Sequence, residues 1–310
     1  MNLLLGCGRD PATDSAPAEP LPLPTVTARA GGDRPLRVLA TTSIIGDAVA
    51  QVGGDAIDLT TLIAAGQDPH SYQPGAADLT AAADADVIFV NGWNLEEGLI
   101  EDLTAIGGAA AIVPVSAGIA PRLVGAAPDP HTWQDPANVE QWVENIRQTL
   151  GAADPANAAA YDANAAAYRA ELERLDEEVR AALANIPAER RVLVTNHDNL
   201  GYFADAYDFA VIGAIIPSVS ALAEPTAAGL ADLARLMADN GLCTLVVEQA
   251  ADERLARALE GELEQCDGVG LLSLYTDALG PPGSGAETYL GLMRANAAIL
   301  VAGLSEESGD

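Results

Sequence analysis

From Leu36 onward, short apolar runs alternate with stretches whose apolar residues recur at helical spacing. Leu36–Thr41, Ile57–Ala64, Val87–Val90 and Ala111–Val115 read as strands, with helices over Ser43–Val52, Ala76–Ala85 and Leu95–Ile106. Uninterrupted apolar strands separated by amphipathic helices imply a parallel sheet covered on both faces, the doubly wound α/β arrangement. Asp154–Ile186 breaks this alternation. It is rich in Ala, Glu and Arg, holds no Gly or Pro after Pro155, and opens with a capping Asp154 and a Pro suited to the first helical position. At roughly 1.5 Å per residue it makes a rod of about 45 Å. After Pro187 the alternation resumes, with strands at Arg191–Thr195, Ala210–Ile215, Thr244–Glu248 and Val269–Leu274 and helices at Asn199–Tyr207, Thr226–Asn240, Asp252–Glu264 and Ala286–Gly303. The chain therefore divides into a leading segment (1–35), an α/β lobe (36–153), a connecting helix (154–187) and a second α/β lobe (188–310), with a ligand cleft expected between the lobes.

Charge narrows the partners. The 310 residues carry a formal charge of −30, and all 15 basic residues are arginines. Such a balance argues against nucleic acid and anionic lipid as partners and is compatible with a cationic ligand. An acidic surface also serves solubility, so the charge alone identifies no ligand.

The candidate chemistry lies in the three histidines. His70 falls in Asp68-Pro69-His70, His131 in Asp129-Pro130-His131, and His197 at the end of the first strand of the second lobe. Ligands of open α/β sheets bind beyond the carboxyl ends of the strands, so all three imidazoles are placed to meet in one cleft. A proline beside a ligand stiffens its loop. Asp68, Asp129 and Asp198 are positioned either to orient an imidazole or to form turns. Three imidazoles need a fourth group to close a tetrahedral metal site. Asp277, after the last strand, is the first candidate, and Glu248, at the end of Thr244–Glu248, is the runner-up or a supporting group.

Four segments carry a family resemblance. Gly66-Gln67-Asp68-Pro69-His70-Ser71-Tyr72-Gln73-Pro74, followed by Ala85-Asp86-Val87-Ile88-Phe89-Val90-Asn91-Gly92, resembles the first metal motif of the zinc/manganese class of ABC-transporter solute-binding proteins. Asp129-Pro130-His131-Thr132-Trp133-Gln134-Asp135-Pro136 resembles the second, Thr195-Asn196-His197-Asp198 the third, and Tyr275-Thr276-Asp277-Ala278-Leu279-Gly280 the fourth. The likeness runs from about Leu36 to Leu304. It implies two α/β lobes joined by a rigid helix, one metal between them, and delivery to a membrane permease with its ATPase by a protein that is not an enzyme and acts as a monomer. Two departures stand out. Ala117–Pro128 lacks the histidine-rich loop frequent in zinc members, and His197 stands where manganese members often carry a carboxylate. Imidazole donors suit zinc and carboxylate donors suit manganese, so three His and one Asp lean toward Zn2+, with Mn2+ and Fe2+ as alternatives.

Leu4-Leu5-Gly6-Cys7 resembles a lipobox, which makes Cys7 a candidate for lipidation and the protein an extracytoplasmic, membrane-anchored one. The basic start and longer apolar stretch of a signal peptide do not precede it, so a start upstream of Met1, or a periplasmic or secreted protein without the anchor, is the alternative. Gly8 to Asp33 reads as a flexible tether. Cys243 and Cys266 precede two successive strands and are either bridged or two buried thiols. Rival readings are a zinc hydrolase using the three histidines, which needs an open metal position for water, an adhesin or chaperone-like lipoprotein with a structural metal, and a receptor for an organic chelate.

Overall fold

The computed structural model describes residues 18–29, 34–106, 108, 110–249, 259, 261–263, 266 and 268–305. Cys7 lies outside them, as does most of the helix expected over 252–264.

The first lobe begins with β1 (Leu36–Ala40), α1 (Ser43–Gly53), β2 (Ile57–Thr61), α2 (Ala76–Asp84), β3 (Val87–Val90), α3 (Leu99–Ala105) and β4 (Ala111–Pro114). The strands form a parallel sheet in the order β2-β1-β3-β4. Successive residues of a strand point to opposite faces, and the core divides accordingly. Leu36, Val38 and Ala40 of β1, with Val87 and Phe89 of β3, enter the central core. Leu39, Ile88 and Val90 enter a separate cluster with Leu99 and Leu103 of α3. Thr42 caps α1 by accepting from the Ile45 amide at 3.2 Å. Helix α3 starts later than its apolar spacing suggests, because Trp93 and Asn94 both adopt left-handed φ, 54° and 62°, and hold the chain in a loop up to Gly98.

A short hairpin, β5 (Leu123–Val124) with β6 (Ala127–Pro128), precedes α4 (Pro136–Ala153). The helix α4, to which the sequence pattern assigned no element, is capped by Asp135 accepting from the Ala137 amide at 2.9 Å, with Pro136 as its first residue. The expected long rod is shorter: α5 spans Ala158–Leu183. Pro155 cannot continue α4, and the Asp154 carboxylate gathers Asn157 Nδ2 (2.7 Å) and Tyr161 OH (3.1 Å) into a tight turn. So short a turn folds α5 back on α4. Tyr161, Ala165, Tyr168, Leu172, Leu175, Val179 and Leu183 form the single buried stripe of α5.

The second lobe has β7 (Val192–His197), α6 (Gly201–Tyr207), β8 (Ala210–Ile216), α7 (Ala227–Asp239), β9 (Thr244–Glu248), β10 (Gly270–Leu274) and α8 (Tyr289–Leu304). Its sheet is also parallel, ordered β10-β9-β7-β8. One apolar core runs from β1 and α1 through Trp142 and Leu172 to Leu193 of β7 and Leu300 of α8, so α5 backs both lobes. Cys243 and Cys266 are joined in a disulfide just before β9 and β10.

Residues 18–29, expected as part of a loose tether, lie along the first lobe. The Leu21 carbonyl accepts from the Gly118 amide at 2.9 Å, the Arg29 amide donates to the Ala153 carbonyl at 2.9 Å, and Leu23 and Val26 pack on the central core. Their composition is proline-rich, but Leu21, Leu23 and Val26 give the segment enough apolar surface to dock. Among the described residues no helix is long and apolar enough to cross a membrane.

Candidate metal centre

The loop after β2 carries His70. Asp68 accepts from the His70 amide and from the Ser71 hydroxyl, both at 2.8 Å, which makes it a turn former and not an imidazole partner. The hairpin delivers His131. Here Asp129, fully buried, accepts from the His131 amide at 3.0 Å and sits 2.8 Å from Nδ1 of its ring, so one carboxylate shapes the turn and orients the imidazole.

His197 is the last residue of β7. Thr195 of β7 lies level with Val246 of β9, so two residues further on His197 meets Glu248, the last residue of β9. The Glu248 carboxylate abuts His197 Nδ1 at 2.5 Å and also accepts from Asn199 Nδ2 at 3.3 Å. Asp198 has no such role; its amide donates to the Ser218 carbonyl at 3.0 Å.

Asp277 lies in the turn after β10. Asn296 of α8 clamps the start of this turn, accepting from the Tyr275 amide at 2.9 Å and donating to the Tyr275 carbonyl at 2.7 Å. Trp133 Nε1 (2.7 Å) and Gln134 Nε2 (2.9 Å), from the first lobe, both donate to the Thr276 carbonyl. Two residues that closely follow His131 thus hold the backbone just before Asp277.

These elements bring His70, His131, His197 and Asp277 together, all buried, with one donor atom from each inside 4.8 Å of the others. His131 Nε2 is 3.4 Å from His70 Nε2 and 3.3 Å from His197 Nε2, while Asp277 Oδ2 is 3.5 Å from His197 Nε2 and 4.0 Å from His70 Nε2. Donors about 2.0–2.1 Å from a tetrahedral ion stand roughly 3.3–3.4 Å apart. Neither oxygen of Asp277 has a hydrogen-bond partner although both are buried. An unsatisfied buried carboxylate among imidazole nitrogens fits a cation as its missing partner. Glu248, the runner-up donor, faces Nδ1 of His197 instead and is not in the four-residue group.

Charge is distributed unevenly. Burial, then the neighbouring His131 and His197, pushes His70 down to about 2, so its ring is neutral. Burial pulls His197 down too, but Asp277 and Glu248 outweigh it and raise the ring to about 9. Burial, then the Glu248 charge, pushes Asp277 up to about 7. Glu248 is pushed up by burial but held below the usual carboxylate range by His197.

Residues 38–303 match the family model described as ZnuA, zinc-uptake complex component A, periplasmic. The chain belongs to this family. Relatives at similar distance bind different ions by name. The chain is 34% identical to the manganese-binding lipoprotein MntA of Halalkalibacterium halodurans, over 87% of its own length and 89% of that protein's. It is 32% identical to the zinc-binding protein TroA of Treponema pallidum, over 89% of this chain and 91% of TroA. The solved structure of the Treponema pallidum periplasmic zinc-binding protein TroA superposes with a TM-score of 0.81 at 31% identity, covering 88% of this chain and all of TroA. A manganese-bound periplasmic metal-binding protein from candidatus liberibacter asiaticus gives a TM-score of 0.77 at 30% identity, covering 87% of this chain and 99% of that one. Like these ZnuA-family proteins, the chain sets two parallel-sheet lobes on a long helix.

Proposed function

We propose that this protein captures Zn2+ outside the cytoplasm and delivers it to an ABC permease powered by an ATPase, with His70, His131 and His197 as nitrogen ligands and Asp277 as the oxygen ligand. The observation that carries the reading is the buried convergence of those four side chains, with both Asp277 oxygens unpartnered. Three imidazoles and a single carboxylate form a donor set of borderline softness, which suits zinc. Relatives that bear names of metal-binding ABC-transporter lipoproteins support the transport role. Four protein donors close the site and leave no position for an activated water, so the reading is of a binding protein and not a hydrolase. We further propose the division 36–153, 154–187 and 188–310 for lobe, connector and lobe, action as a monomer, and attachment through a lipidated Cys7.

A second reading is Mn2+ in the same site, with Fe2+ as its neighbour in chemistry. It is favoured by the 4.0 Å gap between Asp277 and His70 Nε2, wider than a tetrahedral edge, and by the manganese-binding name of the MntA relative. The test is titration calorimetry of metal-stripped protein with Zn2+ and Mn2+ separately and in competition, backed by native mass spectrometry. One zinc per chain that excess manganese does not displace is the expected result. Tighter manganese binding overturns the choice of ion, and failure to bind either overturns the capture role.

A further inference from the structure

The three imidazoles are not equally supported. His131 Nδ1 has Asp129 at 2.8 Å and His197 Nδ1 has Glu248 at 2.5 Å. His70 Nδ1 and His197 Nδ1 are both buried without a hydrogen bond of good geometry, but only His70 also lacks a carboxylate in close contact. The carboxylate facing it belongs to Glu97, whose Oε1 stands 3.6 Å away, just beyond hydrogen-bond reach.

Glu97 is already engaged elsewhere. The same Oε1 accepts from the Ser220 hydroxyl at 2.6 Å. Glu97 comes from the first lobe, just before α3, and Ser220 from the loop after β8 in the second lobe. That loop is fixed beside His197: the Asp198 amide donates to the Ser218 carbonyl at 3.0 Å, and the Ser220 amide donates to Ser218 Oγ at 3.1 Å. One carboxylate oxygen therefore stands between the ring of a first-lobe histidine and a second-lobe loop anchored next to another histidine. Several other lobe-to-lobe bonds near the site differ in kind. Trp133 and Gln134 to the Thr276 carbonyl, and the Leu279 amide to Ser43 Oγ, are buried and involve no imidazole. The Glu97–Ser220 bond is only partly buried, and the Glu97 side chain is 28% exposed.

We propose that Glu97 is a positioning residue: in the metal-loaded protein it accepts a hydrogen bond from His70 Nδ1–H while keeping Ser220, and so latches the two lobes at the partly open side of the site. This rests on the metal-capture reading above. When Nε2 donates to a metal, the ring hydrogen resides on Nδ1, and the cation makes that N–H a stronger donor. A buried N–H left unpaired is costly, and a carboxylate within reach relieves it by a shift from 3.6 Å to roughly 2.8 Å. Because Ser220 rides on the same oxygen, closing that gap draws the 217–226 loop toward the ion. The latch slows escape of the metal and ties the state of the loop to loading.

The test compares wild type with Glu97→Ala, Glu97→Gln and Ser220→Ala, each loaded with Zn2+. Zinc release into excess chelator and hydrogen exchange of the 217–226 amides, with and without zinc, are the readouts. Loss of a carboxylate behind a ligating histidine typically weakens binding by about 10–100-fold, so zinc release from Glu97→Ala is expected to quicken by about that factor. Glu97→Gln, whose amide oxygen still accepts, should recover part of it, and zinc should protect the loop in wild type but not in Glu97→Ala. The His70 Nδ1–H proton signal, protected in zinc-loaded wild type, should exchange rapidly in Glu97→Ala. Zinc release within twofold of wild type, or equal protection of the loop in Glu97→Ala, overturns the latch. If Glu97→Ala fails to fold, Glu97→Gln and Ser220→Ala carry the same comparison. Wild type that takes up neither Zn2+ nor Mn2+ overturns the capture reading itself, whereas normal uptake by wild type with unaltered variants overturns the latch alone.

Discussion

His70 and His197 belong to one cluster yet differ in charge. His70 is neutral from about pH 2 upward, while His197 keeps its proton to about pH 9 because Asp277 and Glu248 face it. Metal binding must remove that proton, and also the one Asp277 holds below about pH 7. The groups titrate as a unit, and the sign is clear: zinc affinity rises with pH. Calorimetry in buffers of different ionisation enthalpy should show more protons released per zinc near pH 6 than near pH 8, with His70 contributing none. Substituting Glu248 with Gln removes a group that raises His197, so less proton is displaced at pH 8, while the lost orientation of the ring lowers affinity about 10–100-fold. Asp277→Asn should reduce zinc affinity by more than about a hundredfold with far-ultraviolet circular dichroism unchanged, since neither Asp277 oxygen bonds to the protein. His70 and His131 are legible as candidate donors from their Asp-Pro-His settings, and the fold brings both into the buried four-residue group. Similar settings hid different roles: Asp68 serves its turn only, and Asp129 serves both turn and ring, because only Asp129 is enclosed beside its imidazole.

The elements matter through register and packing. Glu248 reads equally well along the chain as a metal donor or as a support. Strand order decides, because β9 lies beside β7 and the register sets Glu248 against the far nitrogen of His197. The helix α5 shows the reverse case. Its existence was plain from an Ala-, Glu- and Arg-rich stretch, but its start was displaced by Pro155 and the Asp154 turn. Leu172, fully buried on its inner stripe, is the residue to probe. Leu172→Ala should cost about 2–5 kcal/mol in chemical denaturation and leave zinc affinity nearly unaltered, since no donor sits on α5. The stretch of helix α4 is assigned no element along the chain, and the fold shows it capped by Asp135 with Pro136 as its first residue.

For the whole molecule, a single core continuous through α5 into both lobes resists wide opening. Removing zinc with a chelator should therefore leave a folded protein with an almost unchanged radius of gyration by small-angle scattering. A thousandfold excess of zinc over its dissociation constant should add about 4 kcal/mol of stability by mass action alone, read as a higher Tm. The Cys243–Cys266 bridge closes a separation of 23 residues and contributes about 3 kcal/mol by restricting the unfolded chain; reduction should lower Tm without abolishing zinc binding. By itself the sequence determined the α/β alternation, the parallel sheets, the long connector and the ordered motifs bearing His70, His131, His197 and Asp277, because periodicity and local turn chemistry are written in neighbouring residues. Tertiary structure alone decided that residues 18–29 dock, that the two cysteines bond, that Glu248 supports His197, and that Glu97 and Ser220 meet across the lobes. Those contacts join residues far apart in the chain, and their free energy depends on burial and on strand order, which no local pattern encodes.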